Sequence, residues 1–316
     1  MYEVDGRIRK IAEAGVYLPE GVDRISCGPS KAREMRNPIK RAIKPSKTEM
    51  LVVFNDTQLY RQCDQEALGA FLKFVSDYRK QITHIVGNGD ILDLENLSKF
   101  PKQPDNYNEG ENEIIAGRFL FSVLADMLPN AEKRINWGNH DQPRHDNLTA
   151  NTVGVKEWVK SMDEQFDLTK QGWDVIPYGK GHYYQWHNRI FWHGVKCGAK
   201  ANNAKSEQED AGVATTTGHT NKNEFWQTRT ALGITKTSYS HAGFSKDNLD
   251  FVKKANSGWQ QGFGIYFWDK GVGETVVPIM MQHGTPRFRY EGKIYDGTGY
   301  AIPMSGKRSD MYKGLK

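Results

Sequence analysis

Five apolar or β-branched runs in this chain each stop at a residue able to bind a cation or move a proton. That recurrence constrains the fold more than any other feature. In the clearest case, Ile135-Asn136-Trp137 ends at Gly138 and is followed by Asn139, His140 and Asp141. A glycine there suits a sharp turn at a strand end. Asn139 offers a neutral amide oxygen, and His140 can bind a cation or donate a proton. Alone, such a junction reads as an ordinary strand-to-loop turn. It recurs at Leu51 to Gln58 with Asp56, at Ile82 to Asp93 with Asp90, at Ile190 to Gly194 with His193, and at Val213 to Asn221 with His219. Strands entering one sheet present their ends on a common edge, so ligands far apart in sequence can converge.

The periodicity between these junctions supports an α/β layout. Leu68, Phe71, Leu72 and Val75 share one face of a helix expected over Asp64 to Lys80. A second helix is expected over Glu111 to Leu128, with Ile115, Phe119, Ser122 and Leu124 as its buried stripe, and a third over Lys200 to Asp210. The strands Leu51 to Phe54 and Ile82 to Val86 flank the first helix, the rhythm of a largely parallel sheet. His182 to Trp186 and Arg189 to Trp192 flank His187-Asn188 as a hairpin. Gly262 to Trp268, Thr275 to Gln282 and Pro286 to Tyr290 read as strands that finish a second sheet.

A chain of 316 residues can bury a substantial core. Charged residues make up 26% and apolar residues 38%, the balance of a soluble globular protein. No apolar run reaches the ~20 residues of a membrane helix, and no signal-peptide pattern opens the sequence. The cysteines Cys27, Cys63 and Cys197 are too scattered for a disulfide framework, which with the rest points to the cytoplasm. Cys197 lies close after His193 and could border the same site. A short amphipathic stretch, Ile8 to Val16, leads into a helix stop at Pro19-Glu20-Gly21. From Arg24 to Lys47, eight basic residues face one acid, Glu34, a local charge of +7 against +5 for the whole chain. Such an arm can grip a phosphate backbone; it can equally pack along its own domain or a neighbouring subunit of an oligomer.

The order Asp-x-Gln, Gly-Asp-x-x-Asp, Gly-Asn-His-Asp, His-Gly and Gly-His-x-Asn resembles the calcineurin-like metallophosphoesterases, from about Asp56 to Asn221. The resemblance implies a four-layer αββα sandwich of two mixed sheets over residues 49–300; the charge pattern sets a basic arm (1–48) before it and a basic tail (301–316) after it. It also implies two divalent metal ions. One would take Asp90, Asn139, His193 and His219; the other would take Asp56, Gln58, Asn221 and the bridging Asp90. That family places histidines where this chain has Gln58 and Asn221. Amide oxygens are weaker, harder ligands, so the second ion should be held less tightly and lean toward Mn²⁺ or Mg²⁺ over Zn²⁺. Mn²⁺ is the expected metal, with Fe, Zn²⁺ and Mg²⁺ as alternatives.

By the same resemblance, His140 is not a metal ligand. It stabilises charge on the phosphate or protonates the leaving oxygen, with Asp93 accepting its hydrogen bond. Asp93 could instead cap a helix start, and Asp141 reads as a turn cap. Arg144 and His145 either hold the substrate phosphate or are solvated loop residues. His241 is a substitute ligand should Asn221 not serve; His84, His182, His187 and His283 read as packing or surface residues. The implied activity is hydrolysis of a phosphate ester by a hydroxide held between ions about 3.5–4 Å apart. A phosphodiester of nucleic acid or a nucleotide is favoured by the basic arm. A phosphomonoesterase, and a binding or assembly protein with a degraded second metal site, stay open. Trp186, Trp192 and Trp226 suit base stacking or sheet packing alike.

Overall fold

The computed structural model describes residues 8–11, 16–19, 48–99, 109–150, 159–198, 202–246, 258–281, 284–304 and Leu315. The chain divides into two compact units, Met1–Lys47 and Thr48–Lys316. In the first, β1 (Ile8–Ile11) pairs antiparallel with β2 (Val16–Pro19), Ile11 opposite Val16. This replaces the amphipathic, helix-like reading of Ile8 to Val16. A stretch so short cannot offset the cost of nucleating a helix, whereas a hairpin pairs its backbone at once. The basic residues 24–47 and the tail 305–314 lie outside the described residues, as do Lys200, His283 and the prolines Pro101 and Pro104.

The second unit begins with β3 (Glu49–Phe54), α1 (Gln65–Tyr78), β4 (His84–Asn88), α2 (Glu109–Met127), β5 (Glu132–Asn136), α3 (Gln142–Ala150), α4 (Met162–Phe166) and β6 (Trp173–Ile176). It continues with the hairpin β7 (Tyr184–Trp186) and β8 (Arg189–Phe191), then α5 (Asn203–Ala211), β9 (Ala214–Thr217), β10 (Glu224–Arg229) and β11 (Thr235–Ser240). The last strands are β12 (Gln261–Asp269), β13 (Gly273–Met281), β14 (Arg287–Tyr290) and β15 (Lys293–Asp296). Helix starts follow local chemistry: Asp64 accepts the Ala67 N–H at 3.0 Å, and Asn202 accepts that of Lys205 at 2.9 Å.

Two mixed sheets result. One has six strands in the order β13-β12-β3-β4-β5-β6, with β3 to β6 parallel; the other has five, in the order β10-β11-β9-β8-β7. Leu51, Val53, Val86 and Tyr266 from the first sheet pack on Tyr184, Trp186 and Phe191 from the second. On the outer side of the six-stranded sheet, Phe71 and Phe74 of α1 and Leu120 and Leu124 of α2 cover Phe54, Ile85, Ile135 and Phe263. Helix α5 packs on β9, β10 and β11. The architecture is therefore α/β, an αββα sandwich of two mixed sheets. No helix among the described residues is long and apolar enough to cross a membrane.

Two details differ from the expectation. On α2 the buried stripe runs through Ala116, Phe119, Leu120, Val123 and Leu124, while Ile115 and Ser122 sit at its margin. More consequentially, β12 and β13 extend the first sheet rather than the second, and among the described residues β14 pairs only with β15. The reason lies in β12, where Phe263 and Ile265 face the helices while Tyr266 faces the other sheet. A strand apolar on both faces belongs in a sheet covered on both sides.

The sheets are also joined by a buried ion pair. Arg189 on β8 donates Nε and Nη2 to Glu274 on β13 at 2.8 and 2.6 Å, Nη1 to the Thr215 carbonyl at 2.6 Å and Nη2 also to that of Thr237 at 2.8 Å. Breaking such a pair strands a buried charge. Glu274→Ala should cost about 3–5 kcal/mol in urea unfolding. The double change Arg189→Met with Glu274→Leu should cost less than that single one.

Candidate metal centre

The five junctions converge because parallel strands end on one edge. Asp56 and Gln58 follow β3, Asp90 follows β4, Asn139 and His140 follow β5, His193 follows β8, and His219 and Asn221 follow β9. Asp56, Gln58, Asp90, His219 and Asn221 all have positive φ, of 45°, 40°, 50°, 70° and 53°. Such backbone is unfavourable for residues other than glycine and persists only where the surroundings enforce it. Here the loops hold one another: Asp56 N donates to Gly89 O at 2.9 Å, Gln58 N to Asp90 O at 3.1 Å, and Gly218 N to His193 O at 3.0 Å. Gly138 is required by close approach, since a Cβ there would lie 2.1 Å from Asp90 Oδ1.

Asp90, His193 and His219 bring ligand atoms within 4.8 Å of one another. Asp90 Oδ2 is 3.2 Å from His193 Nε2, and Asn139 Oδ1 is 3.0 Å from the same nitrogen. His193 Nδ1 donates to the Asn88 carbonyl at 2.9 Å, which turns Nε2 toward the cluster. Beside it lies a set of oxygens. Asp56 Oδ2 accepts from His219 N at 2.8 Å and Asn55 Nδ2 at 2.6 Å. Its Oδ1, Gln58 Oε1 and Asn221 Oδ1 are buried and meet no donor among the described residues. Buried acceptors are rarely left so, and three of them gathered beside a carboxylate–imidazole cluster suit a cation. The residues fit divalent metal binding.

The electrostatics agree. Burial opposes ionisation of Asp90, but the His140 and His193 rings hold it well below the usual carboxylate range. Burial raises Asp56 to about 7, with the Asp90 charge adding to it against the pull of His193. Burial would lower His193, yet Asp90 and Asp56 lift it to about 10. His219 is pushed down to about 4 by burial and by His193.

His140 stands apart from the ligands. Its Nδ1 meets Asp93 Oδ1 at 2.7 Å, while Nε2 lies 3.9 Å from Asp90 Oδ2. Burial opposes its protonation, but Asp90 and Asp93 raise its pKa above the ordinary value. Arg144 is turned onto Asp93, with Nη1 on the carbonyl and 3.0 Å from Oδ1. His145 points elsewhere, Nε2 lying 3.1 Å from the Lys160 carbonyl. Asp141 is the expected turn cap, accepting the N–H of Leu92 at 2.8 Å and of Gly138 at 2.9 Å. His241 is buried with Nε2 2.7 Å from the Tyr266 hydroxyl, and Cys197 is exposed.

Four residues join the centre that no motif pointed to. Asn55 and Asn88 brace Asp56 and His193, Gln62 Nε2 donates to Asp93 Oδ2 at 2.5 Å, and the Tyr178 ring lies 6.1 Å from that of His193. Asn55 and Asn88 adjoin motifs and were findable on that ground; Gln62 and Tyr178 carry no local signal.

Fold and site thus define an αββα protein with a carboxylate–imidazole cluster at its strand ends. No protein-family model and no curated protein matches the chain. Among solved structures it is similar to Vps29 of Chaetomium thermophilum, at 10% identity over 74% of this chain and 97% of that one, TM-score 0.36. It is also similar to GAP50, the anchor in the inner membrane complex of Plasmodium, at 12% identity over 85% and 95%, TM-score 0.37.

Cation binding must displace the protons that Asp56 and His193 hold in the metal-free protein. Affinity for Mn²⁺ should therefore rise with pH between about 6 and about 8. Calorimetry in buffers of different ionisation enthalpy should detect roughly one proton or more released per ion bound; no release would contradict the arrangement.

Proposed function

We propose that this chain is a metal-dependent phosphoesterase of the calcineurin-like kind, acting on a phosphodiester of nucleic acid or a nucleotide. The observation that carries the reading is the trio of orphaned oxygens on Asp56, Gln58 and Asn221 beside the Asp90, His193 and His219 cluster. Asp90, Asn139, His193 and His219 would hold one ion, and Asp56, Gln58, Asp90 and Asn221 a second. Bound divalent cations supply charge neutralisation for the phosphate and a water acidic enough to attack at neutral pH. Hard oxygen donors favour Mn²⁺ or Mg²⁺ in the second position.

The chain's own groups do the rest. Asp93 accepts the Nδ1–H of His140 as a hydrogen bond and leaves protonated Nε2, on the cluster side, to give its proton to the leaving oxygen. Arg144 and Gln62 hold Asp93 from either side, so the Arg144 role proposed here is positioning rather than phosphate binding. The +7 arm from Arg24 to Lys47 supports a nucleic-acid substrate over a small monoester. Gln58 and Asn221, amides in place of imidazoles, favour a second reading, a binding or assembly protein that keeps the fold with one metal.

Chromogenic esters separate these. Protein loaded with Mn²⁺ should hydrolyse bis-p-nitrophenyl phosphate faster than p-nitrophenyl phosphate. His140→Ala should lower turnover by ~10²–10⁴-fold and leave metal content nearly unchanged. Asp90→Ala should lose metal and activity together. Bound metal without turnover of either ester would assign the binding role.

A further inference from the structure

Over the outer face of β8, a groove of about 1200 Å³ runs from Lys180, Tyr183 and Trp192 toward the hairpin between β12 and β13. Ile190 of β8 and Trp192 just after it form part of its floor, and Lys180, Tyr183, Val213 and Lys236 stand along it. None of the candidate ligands lines it, and the chain itself links its near end to the centre at two places. Trp192 directly precedes the candidate ligand His193, and Lys180 lies two residues beyond Tyr178, whose ring faces His193.

Its chemistry is that of a site left open. Trp192 is only 8% exposed, yet its indole N–H meets no acceptor among the described residues. Tyr183, by contrast, is 44% exposed and presents its ring to solvent. Among the described residues two acids line the groove, and each has a cation of its own: Arg189 covers Glu274 at 2.6 Å, and Lys196 covers Asp210 at 2.8 Å. Lys180, 3.8 Å from Asp210, and Lys236, bound to the Gly212 carbonyl, are then surplus positive charge.

We infer that this groove is the track of a single-stranded polynucleotide whose scissile phosphate reaches the metal centre. A cationic channel with an exposed aromatic ring is how proteins hold single strands without reading sequence. The lysines would meet phosphates, Tyr183 a base face, and the Trp192 N–H an oxygen of the strand. The inference rests on the phosphoesterase reading for its purpose but not for its test.

The test is fluorescence anisotropy of a labelled oligothymidylate of about a dozen nucleotides, with the full chain and Mn²⁺ replaced by Ca²⁺. Lys180→Glu with Lys236→Glu should weaken binding at least about tenfold and flatten the salt slope by roughly 1.4, the share of two phosphate contacts. Tyr183→Ala should weaken binding with no change in salt slope. The equally charged control Lys170→Glu with Lys293→Glu, on other surfaces, should leave affinity within about twofold, so a general charge effect is separated from the groove. Hydrolysis of bis-p-nitrophenyl phosphate should survive all of these changes. Loss of oligonucleotide binding with no ester hydrolysis in any protein would sink the phosphoesterase and leave the groove standing. Equal binding by the groove variant and the wild type would overturn the inference. So would equal losses in the control, or a dimer in sedimentation that only the groove variant breaks.

Discussion

The carboxylate of Asp90 is the point at which the two sheets and three loops meet. It accepts the His140 N–H at 2.8 Å through Oδ1 and approaches His193 Nε2 at 3.2 Å through Oδ2. Its own backbone carbonyl takes the Gln58 N–H at 3.1 Å. The approach is open only because Gly138 lacks a Cβ, and it places an acid between the end of β5 and the second sheet. Buried carboxylates are costly unless paired or bonded, and here every partner is itself part of the candidate centre. The geometry of the site and the packing of the strand ends are consequently one problem.

The sandwich makes that convergence rigid. Arg189 ties β8 to β13 at the far end of the strands, and its guanidinium lies 5.2 Å from the Tyr266 ring and 5.4 Å from that of Tyr239. At the near end, Asn88 Nδ2 donates to the Trp192 carbonyl at 2.8 Å, and Asn136 Nδ2 donates to that of Phe191 at 3.1 Å. These asparagines sit at the ends of β4 and β5 and stitch the six-stranded sheet to β8 just before His193. With both ends of β8 held, the ligand that follows it has little freedom. Strain at five positive-φ ligands is tolerable because the loops that carry them are bonded to one another.

The division between imidazole and amide donors has a physical consequence. His193 has its second nitrogen committed to Asn88, the usual support of a metal-binding histidine. Gln58 and Asn221 have no such arrangement to fix; they present oxygens whose lone pairs are unspent among the described residues. The centre is therefore asymmetric in hardness as well as in charge.

Much was legible in the sequence, because it depended on neighbours along the chain. The βαβ rhythm, the hairpin at His187-Asn188, the helix start at Asp64 and the turn cap Asp141 are all local matters of periodicity, turn residues and short side-chain bonds. The strand-end junctions named Asp56, Asp90, Asn139, His193 and His219, since each carries its ligand beside a turn. Other features required the folded chain. That β12 lies against β3 rather than in the second sheet depends on which faces were left to cover. Gln62 and Arg144 meet at Asp93 from separate elements, and His145, one residue from Arg144, turns the other way on α3. Sequence alone determined which residues could end strands and bind cations. Only tertiary structure decided which of them share a space, because contact between distant residues is set by sheet order and packing, and neither is written in local propensity.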